Sequence, residues 1–334
     1  MTSSTITGIN KMKAGPLPIE WHPGLPIYAS EAFLKSLGDD YGWLGGWDAA
    51  GELRCILPYT VIRKLGFRLV RFQTGTVPLG AGLDVETEKA FLNDVVQHLR
   101  STGGHTIIPS GNAAIFRTYP GAAAAAPYGT FINHLHQPEE TLFREIRKSY
   151  RQNIRKAIQA GVEIREGIEH LGTAYRLIAD TLKRTEVSFK TWEEFEHRIL
   201  SLGEYVKIFI AEHQGVAQGC MVSPFSRHTA FDCYAGSKPQ PVSGATHLLI
   251  WEAMRRFRAL GVERFDFQGV RVNPEKGSKQ EGILHFKQGF GGEFVQGYLW
   301  KYPLQRLTSV AYSAAVRLLQ GGDIVDQERY KLVN

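Results

Sequence analysis

The chain has 334 residues, 43% of them apolar and 22% charged, and a formal net charge of +6. That length is too great for one ordinary core and comfortable for two domains, and the composition excludes an intrinsically disordered chain. The basic balance favours an anionic partner: RNA, a phosphorylated substrate or an anionic membrane surface.

No apolar run reaches the roughly 18 residues of a spanning helix, and the N-terminal MTSSTITGINKMKAG lacks the apolar core of a signal peptide. Cys55, Cys220 and Cys233 are too widely separated for a disulfide framework or a metal-ligand spacing. The eleven histidines are scattered, so no metal is expected. A cytoplasmic protein with reduced thiols follows.

Residues 1–20 read as a loose leader with Gly and Pro. Ser30 is an N-cap for a short helix over 31–37. A hairpin covers 43–63, turning at Asp48-Ala49-Ala50-Gly51. Residues 86–100 are amphipathic, with Phe91, Val95 and Leu99 at helical spacing. Strands follow at 105–109 and 129–135. Between them the alanines of 122–126 are bracketed by Gly121 and Pro127 and read as a loop.

A long helix is predicted over 138–160, ended by Gly161. Phe143, Ile146, Tyr150, Ile154, Ala157 and Ile158 form its apolar face. Arg144, Lys148, Arg151 and Arg155 fall at i, i+4, i+7 and i+11, a basic stripe beside that face. Such a stripe is a solvated face or a phosphate-backbone contact. Glu139 and Glu140 sit at its start, where the helix dipole favours acids.

Then come a strand (162–165), helices at about 169–184 and 191–202, and strands at 205–212, 216–224 and 228–235. A helix over about 244–260, a strand at 264–267, a short helix ending near Gly289, and a strand over about 293–302 complete the order. A last amphipathic helix, about 304–319, carries Leu307, Val310, Ala314 and Leu318 on one face. Core packing, rather than membrane contact, is the expectation for that face.

This order is α+β. It resembles a GNAT-type acyltransferase domain, with a shorter version in the N-terminal half. Two GNAT-like domains, 1–137 and 138–334 with 138–160 as connecting helix, account for the length. A GNAT enzyme that uses acyl-CoA cradles its pyrophosphate on glycine-rich backbone amides. The corresponding stretch here, YAGSKPQPVSGAT (234–246), holds two prolines, which lack the N–H donor, and no Arg-x-x-Gly-x-Gly pattern.

Three stretches, SYRQNIRKAIQAGVEI (149–164), ATHLLIWEAMRRFRALGVERFDFQGV (245–270) and GILHFKQGFGGEF (282–294), resemble the Fem (FemABX) family. That family comprises peptidoglycan-bridge aminoacyltransferases of tandem GNAT-like fold. The resemblance is specific in the second half of the chain and vague before residue 128. There is no room for the coiled-coil insertion of some members.

It implies transfer of an amino acid from aminoacyl-tRNA, as co-substrate and without other cofactor, to an amine of a phosphorylated peptidoglycan precursor. The alternatives are transfer to a small-molecule amine, or N-acyl transfer from acyl-CoA or acyl-carrier protein. The Phe-Lys pair before the glycine cluster matches Phe286 and Lys287. Lys287 is then the electrostatic stabiliser of the oxyanion or of the tRNA 3′ end, and Phe286 packs at the terminal adenosine. By spacing alone Lys287 is a solvated lysine at a helix end, favoured there by the dipole. Its glycines read as a helix stop, with Gly289 or Gly291 left-handed.

Arg184 and Tyr234 match precursor-binding positions. Arg144, Lys148, Arg151 and Arg155 are the candidate tRNA contacts. Asp266, at a strand end, is a candidate for orienting the amine, though a structural acid is the plainer reading. No general base is evident.

Overall fold

The computed structural model describes residues 11–80, 82–109 and 114–333. The chain is α+β and forms two compact units. One comprises Met1–Glu20, Gly38–Tyr128 and Gln296–Asn334; the other comprises Trp21–Leu37 and Gly129–Val295. The division therefore does not fall at the single boundary 137/138 that element order suggests. The chain changes unit inside the strands Ala124–His134 and Glu293–Pro303.

In the first unit, strands Lys13–Pro16, Asp40–Trp47, Leu53–Lys64 and Phe67–Phe72 pair antiparallel in that order, and Thr106–Ile107 adds in parallel. The expected leader lies partly outside the described residues, and its portion Lys13–Pro16 is a strand. The hairpin turn forms as predicted, with Gly51 at φ +80°. Asp84 caps the helix Val85–Ser101, accepting from the Thr87 N–H at 2.9 Å. Its apolar stripe buries Phe91, Leu92, Val95, Val96 and Leu99 against Leu44, Leu57, Val70 and Phe72. Burial of this kind contributes about 1.5–3 kcal/mol for each large side chain.

In the second unit, Tyr234–Ser237, Val216–Pro224, Val206–His213 and Glu163–Glu166 form an antiparallel sheet in that order. A separate set joins Ala230–Phe231 in parallel to Arg264–Asp266, which pairs antiparallel with Ile132, Asn133 and His134. The helix Ala245–Ala259 buries Leu248, Leu249, Met254 and Phe257 against Phe209, Met221, Phe265 and Phe267. Ser30 caps Glu31–Lys35, and Thr191 with Glu194 makes a reciprocal capping box on Trp192–Leu200.

Four expectations are corrected. Residues 124–126 belong to the strand Ala124–His134, because ladder pairing overrides the weak strand preference of alanine. The predicted strand 228–235 is two pieces in different sheets, with Asp232 and Cys233 spanning the gap. The predicted helix 138–160 is broken into Glu139–Glu145 and Lys148–Gln159. Ile146 and Arg147 are extended there, and the Arg147 N–H donates to the Gly289 carbonyl at 2.8 Å. The helix Arg306–Gln320 leaves Leu307, Val310 and Leu318 at 89%, 68% and 87% exposure, so that face is not core. A further helix, Ile324–Val333, follows it.

One partly buried pair makes stability depend on pH. His228 Nε2 lies 2.6 Å from Arg264 Nη2, so the imidazole must be neutral to accept that N–H. Burial and the Arg264 charge hold its pKa down at about 3. In acid the unfolded chain protonates a histidine that the folded chain keeps neutral, so stability is lost as pH falls below the ordinary value near 6.5. We expect a loss of about 3 kcal/mol between pH 7 and pH 4 from this group. His228→Gln, which keeps an acceptor that does not titrate, should flatten urea-denaturation midpoints over that range. An unchanged slope in the variant would remove His228 from the account.

Candidate functional site

The helix Lys279–Gln288 carries the Phe-Lys pair on its last turn. Ser278 caps its start, accepting from the Glu281 N–H at 3.2 Å. Gly289 ends it in a right-handed conformation, φ −66°. A Cβ on Gly289 would fall 2.2 Å from the Tyr150 ring, so this glycine serves a close approach. The left-handed turn expected of Gly289 or Gly291 is made by Gly291 and Gly292, at φ +76° and +83°.

Lys287 is partly buried, and its Nζ donates to the carbonyl oxygens of Gln268 at 3.0 Å and Gly269 at 3.3 Å. Those carbonyls lie in the turn after Arg264–Asp266. There Gln268 adopts φ +56°, a left-handed conformation that costs a side-chain-bearing residue about 1–2 kcal/mol. An ammonium has three donors, so one is left over. Burial pushes the Lys287 pKa down, and the nearby Asp232 and Asp266 carboxylates push it back up.

Asp266 Oδ1 accepts from the Thr130 hydroxyl at 2.6 Å and from the Gln268 N–H at 2.7 Å. Burial raises its pKa; these hydrogen bonds and the charges of Lys287 and Arg264 oppose the rise. Its contacts hold the turn that presents the two carbonyls to Lys287.

Asp232 was not anticipated. It lies where the chain leaves Ala230–Phe231 for Tyr234–Ser237, and its N–H donates to the Asp266 carbonyl at 3.0 Å. Its Oδ1 is buried and has no hydrogen-bond partner among the described residues. Burial raises its pKa, Lys287 lowers it, and Asp266 raises it again. Two acids that hold their protons more tightly than usual thus share one lysine that holds its proton less tightly. That arrangement can move a proton. The signal in the sequence is a single acid inside the stretch AFDCYAG, which local spacing alone does not mark.

Tyr28 also joins from outside the expected set. It is buried, stacks on Phe231 with centroids 4.1 Å apart, and accepts from Gln268 Nε2 at 2.5 Å. Cys233 lies close to Tyr28 and Gln268, and burial raises the pKa of its thiol. Phe286 is placed differently from Lys287. Its ring packs with Tyr150, His247 and Phe290 at centroid distances of 5.9, 5.7 and 5.3 Å.

Tyr234 follows Asp232 by two residues. Its ring meets Phe195 at 5.3 Å and has Lys190 Nζ 5.3 Å from its centroid; burial raises its pKa. Arg184 is exposed and bonds the Ser237 carbonyl at 2.6 Å and the Thr181 hydroxyl at 3.0 Å. Of the basic stripe, Arg151 donates to the Arg144 and Ile146 carbonyls across the helix break, and the Arg155 guanidinium lies 5.8 Å from the Phe143 ring centroid. Arg144 and Lys148 are exposed.

The stretch 234–246 is not arranged as a phosphate cradle. The Lys238 N–H donates to the Gln218 carbonyl, the Val242 N–H to Gln218 Oε1, and the Ala245 N–H to the Val242 carbonyl. Gly244 sits at φ +83°, with room for a Cβ blocked by the Asn153 carbonyl oxygen at 2.0 Å. Gly244→Ala must therefore strain its backbone and displace the helix Lys148–Gln159. We expect a loss of about 2–4 kcal/mol in chemical denaturation. A loss below ~0.5 kcal/mol would show that the backbone yields freely.

The chain has two compact α+β units, and the second gathers an ionisable cluster of Asp232, Asp266 and Lys287. The FemAB family model matches residues 123–215. A solved structure of FemX is similar at 14% identity and a TM-score of 0.62, over 86% of this chain and 93% of that one. The C-terminal domain of a putative lysylphosphatidylglycerol synthetase from Agrobacterium fabrum is similar at 14% identity and TM-score 0.53, over 88% of this chain and 93% of that one. L-PGS from Bacillus licheniformis is similar at 13% and 0.51, over 86% and 91%. No curated protein matches the sequence. The Fem resemblance read from the sequence agrees with the family match over residues 123–215 and with the FemX fold.

Proposed function

We propose that the protein is an aminoacyl-tRNA-dependent transferase that forms an amide bond between an amino acid and an amine of a peptidoglycan precursor. The observation that carries this reading is Lys287, held on two backbone carbonyls with a donor to spare, beside a buried Asp232 oxygen that has no partner among the described residues. The aminoacyl ester is already activated, so the step needs no nucleotide and no further cofactor. The acceptor amine attacks the ester carbon and breaks the C=O π bond. The spare Lys287 donor stabilises the oxyanion. Asp232 takes the proton released by the attacking nitrogen. The carbonyl re-forms as the bond to the tRNA 3′-oxygen breaks, and Asp232 returns the proton to that oxygen. Amide and free tRNA result, and both side chains regain their starting states.

In this reading Tyr234 and Arg184 meet the precursor and its phosphates, and Arg144 and Lys148 meet the tRNA backbone. The protein then works in the cytoplasm, where charged tRNA is made. The prolines and spent amides of 234–246 count against an acyl-CoA donor.

The test offers the purified protein a tRNA charged with radiolabelled amino acid and, separately, acyl-CoA, each with a peptidoglycan precursor and with small amines. Label moving from tRNA to the precursor is the expected result. Label moving only to small amines overturns the acceptor, and transfer from acyl-CoA alone overturns the donor. Retention of tRNA in low salt without any transfer makes the protein a binder.

A further inference from the structure

The helix Arg306–Gln320 is apolar on two sides. Ser309 is buried, and Tyr312 and Val316 are partly buried on the same side. On the other side Leu307, Val310 and Leu318 are 89%, 68% and 87% exposed, with Ala311 and Ala314 exposed among them. At helical spacing these five residues fall within one sector of about 100°. Arg306 and Arg317 line one edge of that sector. The helix contains no acid, and neither arginine makes an ion pair among the described residues. Arg317, Val310 and Ala314 also line an open cavity of about 380 Å³ with Tyr302 and Lys301. Lys301 is committed to Asp323 at 2.8 Å and Asp326 at 2.7 Å, which leaves Arg317 as the uncommitted cation of that cavity.

A surface helix ordinarily needs one apolar stripe, directed at its own core. A second stripe over three turns, at such exposure, marks an interaction face. Its chemistry selects among occupants. A second copy of the chain would bring arginines of like charge together. A polynucleotide would take the arginines and leave the leucines in water. An anionic bilayer surface satisfies both: the leucines enter the boundary of the acyl chains, and the guanidiniums reach the lipid phosphates. The net charge of +6 acts in the same direction. No helix among the described residues is long and apolar enough to cross a membrane.

We propose that the helix Arg306–Gln320 is an interfacial helix that docks the protein on a bilayer containing anionic phospholipid. The full-length protein is sedimented with phosphatidylcholine vesicles, with and without phosphatidylglycerol. Binding is expected to the phosphatidylglycerol vesicles and to weaken with added salt. The double variant Leu307→Ser/Leu318→Ser should bind roughly a hundredfold more weakly. Arg306→Gln/Arg317→Gln should bind roughly thirtyfold more weakly. Because the two leucines are exposed, the first variant keeps the wild-type melting temperature. A lowered melting temperature would mean that the face packs within the protein, and would overturn the proposal. Equal binding by all three proteins would also overturn it. So would failure to bind, with or without a leucine-dependent dimer at sedimentation equilibrium.

Discussion

Lys287→Met should lower kcat for amide formation by about 10²–10³, or roughly 2.7–4 kcal/mol of barrier, while leaving KM for the tRNA donor nearly unchanged. In the proposed mechanism the ammonium opposes charge that exists only after the amine has attacked, so its removal would be felt in the transition state and hardly in the bound ground state. The fold should survive the change. Lys287 is not an ordinary solvated lysine: burial pushes its pKa below 10.5, so keeping it charged opposes folding. The unfolded chain binds more protons in the window between the lowered value and 10.5, and stability therefore rises with pH across that window. The methionine variant loses this dependence and melts no lower than wild type at neutral pH. Lys287→Arg keeps the charge but brings a planar fork to a pair of carbonyls spaced for a compact ammonium, so it should recover little activity. Full activity in Lys287→Met would end the electrostatic role.

Asp232→Asn is the second large effect expected, a loss of about 10²–10⁴ in kcat. The amide is nearly the same size as the carboxylate and cannot accept the proton that the attacking nitrogen must lose. The pH profile separates this from a packing defect. The proposed mechanism requires the carboxylate form, and burial holds the Asp232 pKa above 3.8, so the acid limb of kcat/KM should lie above the ordinary carboxylate range. In Asp232→Asn that limb should vanish from the residual rate. Stability moves in the opposite sense to rate. The folded chain holds this proton more tightly than the unfolded chain, so the carboxylate costs stability once the pH exceeds its raised pKa. The variant should therefore be at least as stable as wild type at neutral pH. Wild-type kcat with an unmoved acid limb would exclude Asp232 as the base.

Much of the second unit was legible because its punctuation is local. Ser30 and Gly161 mark ends that the backbone chemistry of each residue enforces. The alanine stretch at 122–126 misled because alanine says little about strands, and its pairing is decided by residues far along the chain. The break at Ile146 and Arg147 was invisible for a similar reason. It is held by a hydrogen bond from Arg147 to Gly289, which no helical periodicity can register. At the site, Lys287 stood out only through the family resemblance, since spacing alone favoured a solvated lysine. Asp232 and Tyr28 reach the site through the folding of distant segments, so neither carries a local mark.

Gln268 gives the site a particular vulnerability. Its left-handed backbone aims a carbonyl at Lys287, while its side chain reaches Tyr28. Glycine would adopt that backbone without steric penalty, so Gln268→Gly relieves about 1 kcal/mol of strain and at the same time cuts the tie to Tyr28. Screening for heat resistance would reward changes here that screening for turnover would discard. A thermostabilised form of this protein is best sought by holding residue 268 fixed and drawing its gains from elsewhere in the chain.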